Sequence, residues 1–205
     1  TLHSGVKLEL DNNEFNFSAG MDLFEDLTVG NSSDKYEYIL PYYNFSKNLI
    51  TNQIGLIDFS SSGSNKLSNT NNLRSRIIND INFNSYDYYS KNGFKNNINF
   101  YFKNLNSLGK NDVKYKNRPS MEIASIYEAS SSLPLRKTNQ NSTEYLEPKI
   151  SFRINPGDMQ DNSTNKRIIN TDNIFDINRI GSNDTFEGGK SLTLGIDYKK
   201  ENNKN

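Results

Sequence analysis

The chain has 205 residues, 33% of them hydrophobic, with 24 basic and 24 acidic residues, one His and no Cys. Zero net charge without a block of like charge excludes an electrostatic footprint for nucleic acid. The missing Cys removes disulfides, thiolate nucleophiles and Cys metal sites, and leaves the redox compartment open. Composition this polar borders on disorder, so a fold has to be carried by the pattern of the apolar residues rather than by their number.

That pattern has a period of two. Val6, Leu8 and Leu10 alternate with polar residues, and after a tight link at Asp11 to Asn13 the stretch EFNFSAGMDL places Phe15, Phe17, Ala19, Met21 and Leu23 at every second position. Such spacing predicts strands with one apolar and one polar face. Tyr36, Tyr38, Leu40 and Tyr42 alternate next, with a short link expected at SKN near Ser46 and a long one at SSSGSNKLSNTNN from Ser60. Leu73, Ile77, Ile81 and Phe83 then share a face opposite Arg74, Arg76, Asp80 and Asn82, and Phe94, Ile98, Phe100 and Phe102 repeat the pattern. Leu146, Ile150, Phe152 and Ile154 alternate with Glu147, Lys149, Ser151 and Arg153, and Leu192, Leu194, Ile196 and Tyr198 close the series. Runs of this kind, bounded by Gly, Asn, Ser and Asp, predict about nine strands. Pro41, Pro134 and Pro148 fall inside strand patterns and must occupy bulges or strand ends, because each deletes a ladder hydrogen bond.

The links alternate between short and long, the lacing of outer-membrane barrels. The segments Asn13 to Leu23, Arg74 to Asn84 and Glu144 to Asn155 match the roughly 9 to 11 residues of a tilted membrane-crossing strand better than the about 5 to 6 of a soluble one. Two architectures follow from the pattern: a membrane barrel whose apolar face meets lipid, or a soluble sandwich or solenoid in which it meets protein. No stretch approaches the roughly 20 apolar residues of a spanning helix.

Chemistry-bearing constellations are sparse. His3, next to Ser4, lacks the convergent partners of a triad or a metal site and reads as a surface or lumen residue. No catalytic, cofactor-binding or metal-binding residue is assigned, and enzymatic function is not expected. NPGDMQDNSTN and GSNDTFEGG cluster oxygen-bearing side chains that could hold Ca²⁺, without the spacing of a calcium loop; Gly181, Gly188 and Gly189 read as turn geometry before the last strand. The sequons at Asn31 and Asn141 arise readily in a chain so rich in Asn and Ser.

Three segments are recognisable: SSLPLRK at Ser131 to Lys137, YLEPKISFRINPGD at Tyr145 to Asp158, and NIFDINRIGSNDTFEGGKSLTLGIDYK at Asn173 to Lys199. Together they resemble the barrel domain of the lipopolysaccharide-assembly outer-membrane protein family (LptD, also OstA or Imp). The pattern maps to Leu146, Glu147 and Pro148, then Phe175, Asn178, Arg179, Gly181 and Asp184, and finally Leu192 to Gly195. The DLFEDL and YEYILPYYNFSK stretches are also similar to the family. The resemblance implies an all-β, antiparallel up-and-down transmembrane β-barrel segment over residues 1–205. It is expected to be an incomplete barrel, with the family's periplasmic jellyroll before it and its final strands after it lying outside this chain. It implies a place in the cell outer membrane and a share in assembling lipopolysaccharide into the outer leaflet. The implied partners are lipopolysaccharide, membrane lipids, the plug lipoprotein LptE and, through the missing domain, an LptA-type periplasmic bridge; no nucleic acid and no cofactor are implied. Arg74, Arg76, Lys149 and Arg153 then become lumen-facing candidates that screen the anionic groups of a passing glycolipid. Another outer-membrane barrel, a porin or receptor, and a soluble β-sheet binding domain are the alternatives.

Overall fold

The computed structural model describes residues 1–28, 33–51, 53–159, 168–179 and 182–202. In chain order they form β1 (Leu2–Asp11), β2 (Phe15–Glu25), a short 3-10 turn (Ser33–Lys35), β3 (Tyr36–Thr51), β4 (Gly55–Ser68), β5 (Asn72–Ser85), β6 (Tyr88–Tyr89), β7 (Lys95–Lys110), β8 (Ser120–Ser132), β9 (Leu135–Thr138), β10 (Ser142–Asn155) and β11 (Gly189–Asn202). All are antiparallel strands of one 11-stranded sheet with the order β1-β2-β3-β4-β5-β7-β8-β10-β11, β6 pairing with β7 and β9 with β10. Because β8 and β9 both run along β10, they act as one strand broken at Leu133 and Pro134. Among the described residues β1 and β11 each have a single neighbour, so the sheet is an up-and-down meander that does not close on itself. That is the architecture of an incomplete barrel. No helix among the described residues is long and apolar enough to cross a membrane, a statement that does not bear on strands.

Register assigns every side chain to a face. Leu10 pairs with Phe17, Phe17 with Phe45, Ile81 with Phe102, Phe83 with Phe100, and Phe152 with Leu192, which places the alternating apolar residues together on one face, here called outer. This face is open: Val6 is 77% and Leu194 71% exposed. On the opposite, inner face the chain between β10 and β11 returns onto the sheet. The small apolar core lies there, where Ile78, Leu105, Ala124 and Ile126 surround Phe186 and Met159, with Tyr115 beside them. Burial therefore falls on the polar side of the sheet, and the apolar side is left uncovered.

Two expected links and one expected face are corrected. Ser46, Lys47 and Asn48 are not a turn: they pair with Ser60, Phe59 and Asp58, and β3 continues to Thr51. The long link expected from Ser60 is instead the second half of β4, and the reversal is a tight turn at 69–71, where Asn69 and Thr70 take positive φ. Serines and asparagines there satisfy the ladder with their backbone as well as any residue, so polar composition was a poor sign of a loop. Tyr36, Tyr38 and Tyr42 do not share a face either. A register shift between Ile39 and Tyr42 inserts a bulge at Leu40 and Pro41, and a one-residue slip exchanges faces. Tyr38 stays outside opposite Leu23, whereas Tyr42 lies opposite Gly20 on the inner side.

Two of the three prolines lie where the pattern requires, and Pro148 is a correction, since it sits in the middle of β10 at neither a bulge nor a strand end. Pro41 lies in the bulge and Pro134 in the β8–β9 break. Pro148 keeps register with Ile196, and its carbonyl accepts from the Leu133 amide at 3.0 Å. Its absent N–H thus faces the break, on the side where pairing is already interrupted. Where polar residues interrupt the outer face, they bond sideways: Tyr43 Oη to Ser61 Oγ at 3.0 Å, Ser61 to Asn79 at 2.8 Å, Asn79 to Asn104 at 3.2 Å, and Asn106 to Asn104 at 2.6 Å.

Candidate functional site

Period-two alternation brings a row of cations onto the inner face: Lys66 on β4, Arg74 and Arg76 on β5, Lys103 on β7, and Lys149 and Arg153 on β10. Residues 168–179 and 182–188, here called the strap, reach Arg76, Lys103, Lys149 and Arg153 of this row. The strap begins with a turn in which Asn170 Oδ1 accepts from the amides of Asp172 and Asn173 at 3.0 and 3.2 Å, while Asn173 donates to the Ile168 carbonyl at 2.9 Å. Asn side chains that mimic a backbone turn keep this segment compact without secondary structure.

Asp184 is the hub of the strap and is 1% exposed. It accepts hydrogen bonds from Lys114 Nζ at 2.7 Å, from Ser182 Oγ and from Tyr115 Oη, with Arg76 Nη1 at 3.9 Å. Burial opposes its ionisation, but the bonds from Lys114, Ser182 and Tyr115 outweigh burial and hold its pKa at about 2. Burial, and then the Asp184 carboxylate, push the Tyr115 phenol well above the ordinary tyrosine range. A second node joins Arg179 to Glu187 through two parallel bonds of 2.9 and 2.8 Å, the fork geometry that suits guanidinium to carboxylate. The Glu187 carbonyl accepts from Arg153 Nη2 at 2.8 Å and from Asn155 Nδ2 at 3.0 Å. Between the nodes, Lys103 donates to Asp80 at 2.6 Å and to the Asn183 carbonyl at 2.8 Å, with its ammonium 4.8 Å from the centre of the Phe186 ring.

The four cations singled out in the sequence all lie on the inner face in different states. Arg74 grips Asp112 through two bonds of 3.0 and 2.6 Å, and this guanidinium lowers the Asp112 pKa. Arg76 has the long contact to Asp184. Lys149 bonds Asp197 at 2.7 Å and sits 4.4 Å from the Phe175 ring centre. Arg153 is buried, and its Nε and Nη1 have no hydrogen-bond partner. Because those two donors already bear the cost of burial, Arg153→Met trades one hydrogen bond for a relieved desolvation cost. Its strap exchange, read by hydrogen–deuterium exchange, is expected to stay within about 1 kcal/mol of the parent.

Of the family-pattern residues, Phe175, Asn178, Arg179 and Asp184 converge in the strap, Asn178 donating to the Ser182 carbonyl at 2.7 Å. Leu146, Glu147 and Pro148 lie in β10 instead, opposite Tyr198, Asp197 and Ile196. Gly181 lies outside the described residues, as do the sequon residues Asn31 and Ser32. Gly189 takes φ of 91°, as a turn glycine should. At Gly195 an added Cβ would lie 2.7 Å from the Phe175 ring. Gly195→Val is therefore expected to push Phe175 off β11 and speed proteolytic cleavage at 168–179, while circular dichroism keeps its strand signal.

Lys103, Lys114, Tyr115, Phe186 and Glu187 were missed by the sequence reading. Lys103 was accessible to it, since it alternates with Phe100 and Phe102; the others come from links and carry no periodic signal. His3 bonds Asp22 at 2.8 Å and stacks on Phe24. Asp184 and Glu187 of the GSNDTFEGG stretch are engaged by Lys114 and Arg179, and no group of three or more His, Asp and Glu among the described residues could hold a metal ion.

Two openings flank the strap. A basin of about 360 Å³ is lined by Asp22, Tyr42, Ser64, Lys66, Arg74 and Arg76. A cleft of about 350 Å³ runs between Asp80, Tyr101 and Lys103 on the sheet and Ile177, Ser182 and Phe186 on the strap. The chain matches no protein-family model and no curated protein.

Proposed function

We propose that this sheet is part of the outer-membrane translocon that assembles lipopolysaccharide into the outer leaflet of a Gram-negative outer membrane. The observation that carries this reading is the two-faced sheet. Its outer face exposes apolar side chains strand after strand, which in water is costly and in hydrocarbon is not. Its inner face carries the cations and the strap, a polar wall for a glycolipid's sugars and phosphates. The resemblance supports the same reading, because Phe175, Asn178, Arg179 and Asp184 are the residues that seat the strap.

In this reading the open edges at β1 and β11 pair with further strands, since unpaired backbone is not tolerated in lipid. LptE-type plug lipoprotein and an LptA-type bridge are the partners it implies. The test is depletion of the gene encoding the chain in its native bacterium, followed by surface labelling of lipopolysaccharide. Loss of surface lipopolysaccharide with accumulation inside the cell supports the translocon. Normal surface lipopolysaccharide with slowed uptake of small hydrophilic solutes overturns it in favour of a porin or receptor.

A further inference from the structure

Asp184 stands where a mobile anion would stand. Its carboxylate lies between Lys114 and Arg76 on the inner face, yet it belongs to the strap rather than to the sheet. Arg76 faces two ways: it reaches Asp184 only at 3.9 Å, and it lines the open basin with Lys66 and Arg74. The other cations of that basin are better matched, Lys66 to Glu37 at 2.7 Å and Arg74 to Asp112 at 2.6 Å. Asp22, the acidic residue of the basin wall, is turned to His3 at 2.8 Å. Arg76 also bonds the Tyr115 hydroxyl, but of the three basin cations it alone has no carboxylate at close hydrogen-bonding distance.

We propose that the basin of Lys66, Arg74 and Arg76 is a phosphate-binding site, and that a phosphate-bearing ligand there displaces Asp184 from Arg76 and Lys114 and so releases the strap. This rests on the reading of the inner face as a ligand path. A phosphate matches a guanidinium fork and carries more charge than the carboxylate it replaces. Once on Arg76 it also repels Asp184, which weakens the two bonds from Lys114 and Tyr115 that tie this residue to the link between β7 and β8. The released strap exposes Lys114 and frees Arg76 from Asp184, so the open state binds the anion better than the closed one, and that difference is what shifts the equilibrium. Arg179 and Glu187 keep the far end of the strap self-paired during the opening.

The experiment is hydrogen–deuterium exchange on the full chain in detergent micelles, with glucose 1-phosphate, with glucose, and with sodium chloride at matched ionic strength. Glucose 1-phosphate is expected to raise exchange at 182–188 about tenfold over both controls, with β5 and β7 amides still protected. Arg76→Gln is expected to abolish that increment, and Asp184→Asn to give fast strap exchange with no ligand at all. Equal exchange with glucose 1-phosphate and glucose, or an increment that survives Arg76→Gln, overturns the proposal. A phosphate response in a protein whose depletion leaves surface lipopolysaccharide intact would leave the phosphate site standing and sink the translocon; surface loss with no response would do the reverse.

Discussion

Phe186→Ala is expected to detach the strap while leaving the sheet paired. The ring is 5% exposed among Ile78, Leu105, Ala124, Ile126 and Met159, and the Lys103 ammonium lies over it. Truncating a buried Phe costs about 3 to 5 kcal/mol, part of it for the cavity that the rigid strands cannot fill by collapsing. The loss should fall on strap opening and not on strand pairing, since the ladder between β5 and β7 does not pass through residue 186. Limited proteolysis reads it: cleavage within 168–188 should rise by two orders of magnitude or more while β5 and β7 amides keep their exchange protection. Unchanged cleavage would mean that the polar nodes alone hold the strap.

Asp184→Ala should reach a similar magnitude by another route. It leaves Lys114, itself mostly covered, without its carboxylate, and Tyr115 and Ser182 without their acceptor. Removing one partner of a buried pair costs roughly 3 to 5 kcal/mol, because the remaining charge stays desolvated. Acid should mimic the substitution in part. The folded pKa of Asp184 is depressed from 3.8 to about 2, so its contribution is complete above about pH 4 and is lost as pH falls through about 2. The linked loss is on the order of 2 kcal/mol. Tyr115, which faces it and whose phenol is pushed upward, stays protonated across that window. Strap exchange at 182–188 should accelerate between pH 4 and pH 2 in the parent and show no such step in Asp184→Ala. A step of equal size in both would assign the acid sensitivity to another carboxylate.

Much of the sheet was legible because strand faces are a local property. Phe15, Phe17, Ala19, Met21 and Leu23 alternate, and a strand obeys that alternation whatever lies around it. The same rule puts Arg74, Arg76, Lys149 and Arg153 opposite the apolar residues of their strands. It failed at Tyr42, where the Leu40–Pro41 bulge exchanges faces, and at Ser60 to Ser68, where small polar side chains concealed half of β4. At Ser61, Asn79 and Asn104 the rule held despite their polarity, because the three satisfy one another by hydrogen bonds along the outer face.

The amino-acid order alone therefore settled the strand class, the approximate strand number and the split between an apolar and a polar face, because these depend on residues two apart. The tertiary structure decided which face carries the core and how the inner cations are matched. Asp184 meets Tyr115, which lies 69 positions before it, and Lys103 meets the Asn183 carbonyl 80 positions away. No periodicity reports contacts of that separation, since they arise only after the meander has brought β5, β7 and the strap together. Phe186 shows the same limit: in sequence it is one aromatic residue in a polar link, and only the returning chain makes it the centre of the core.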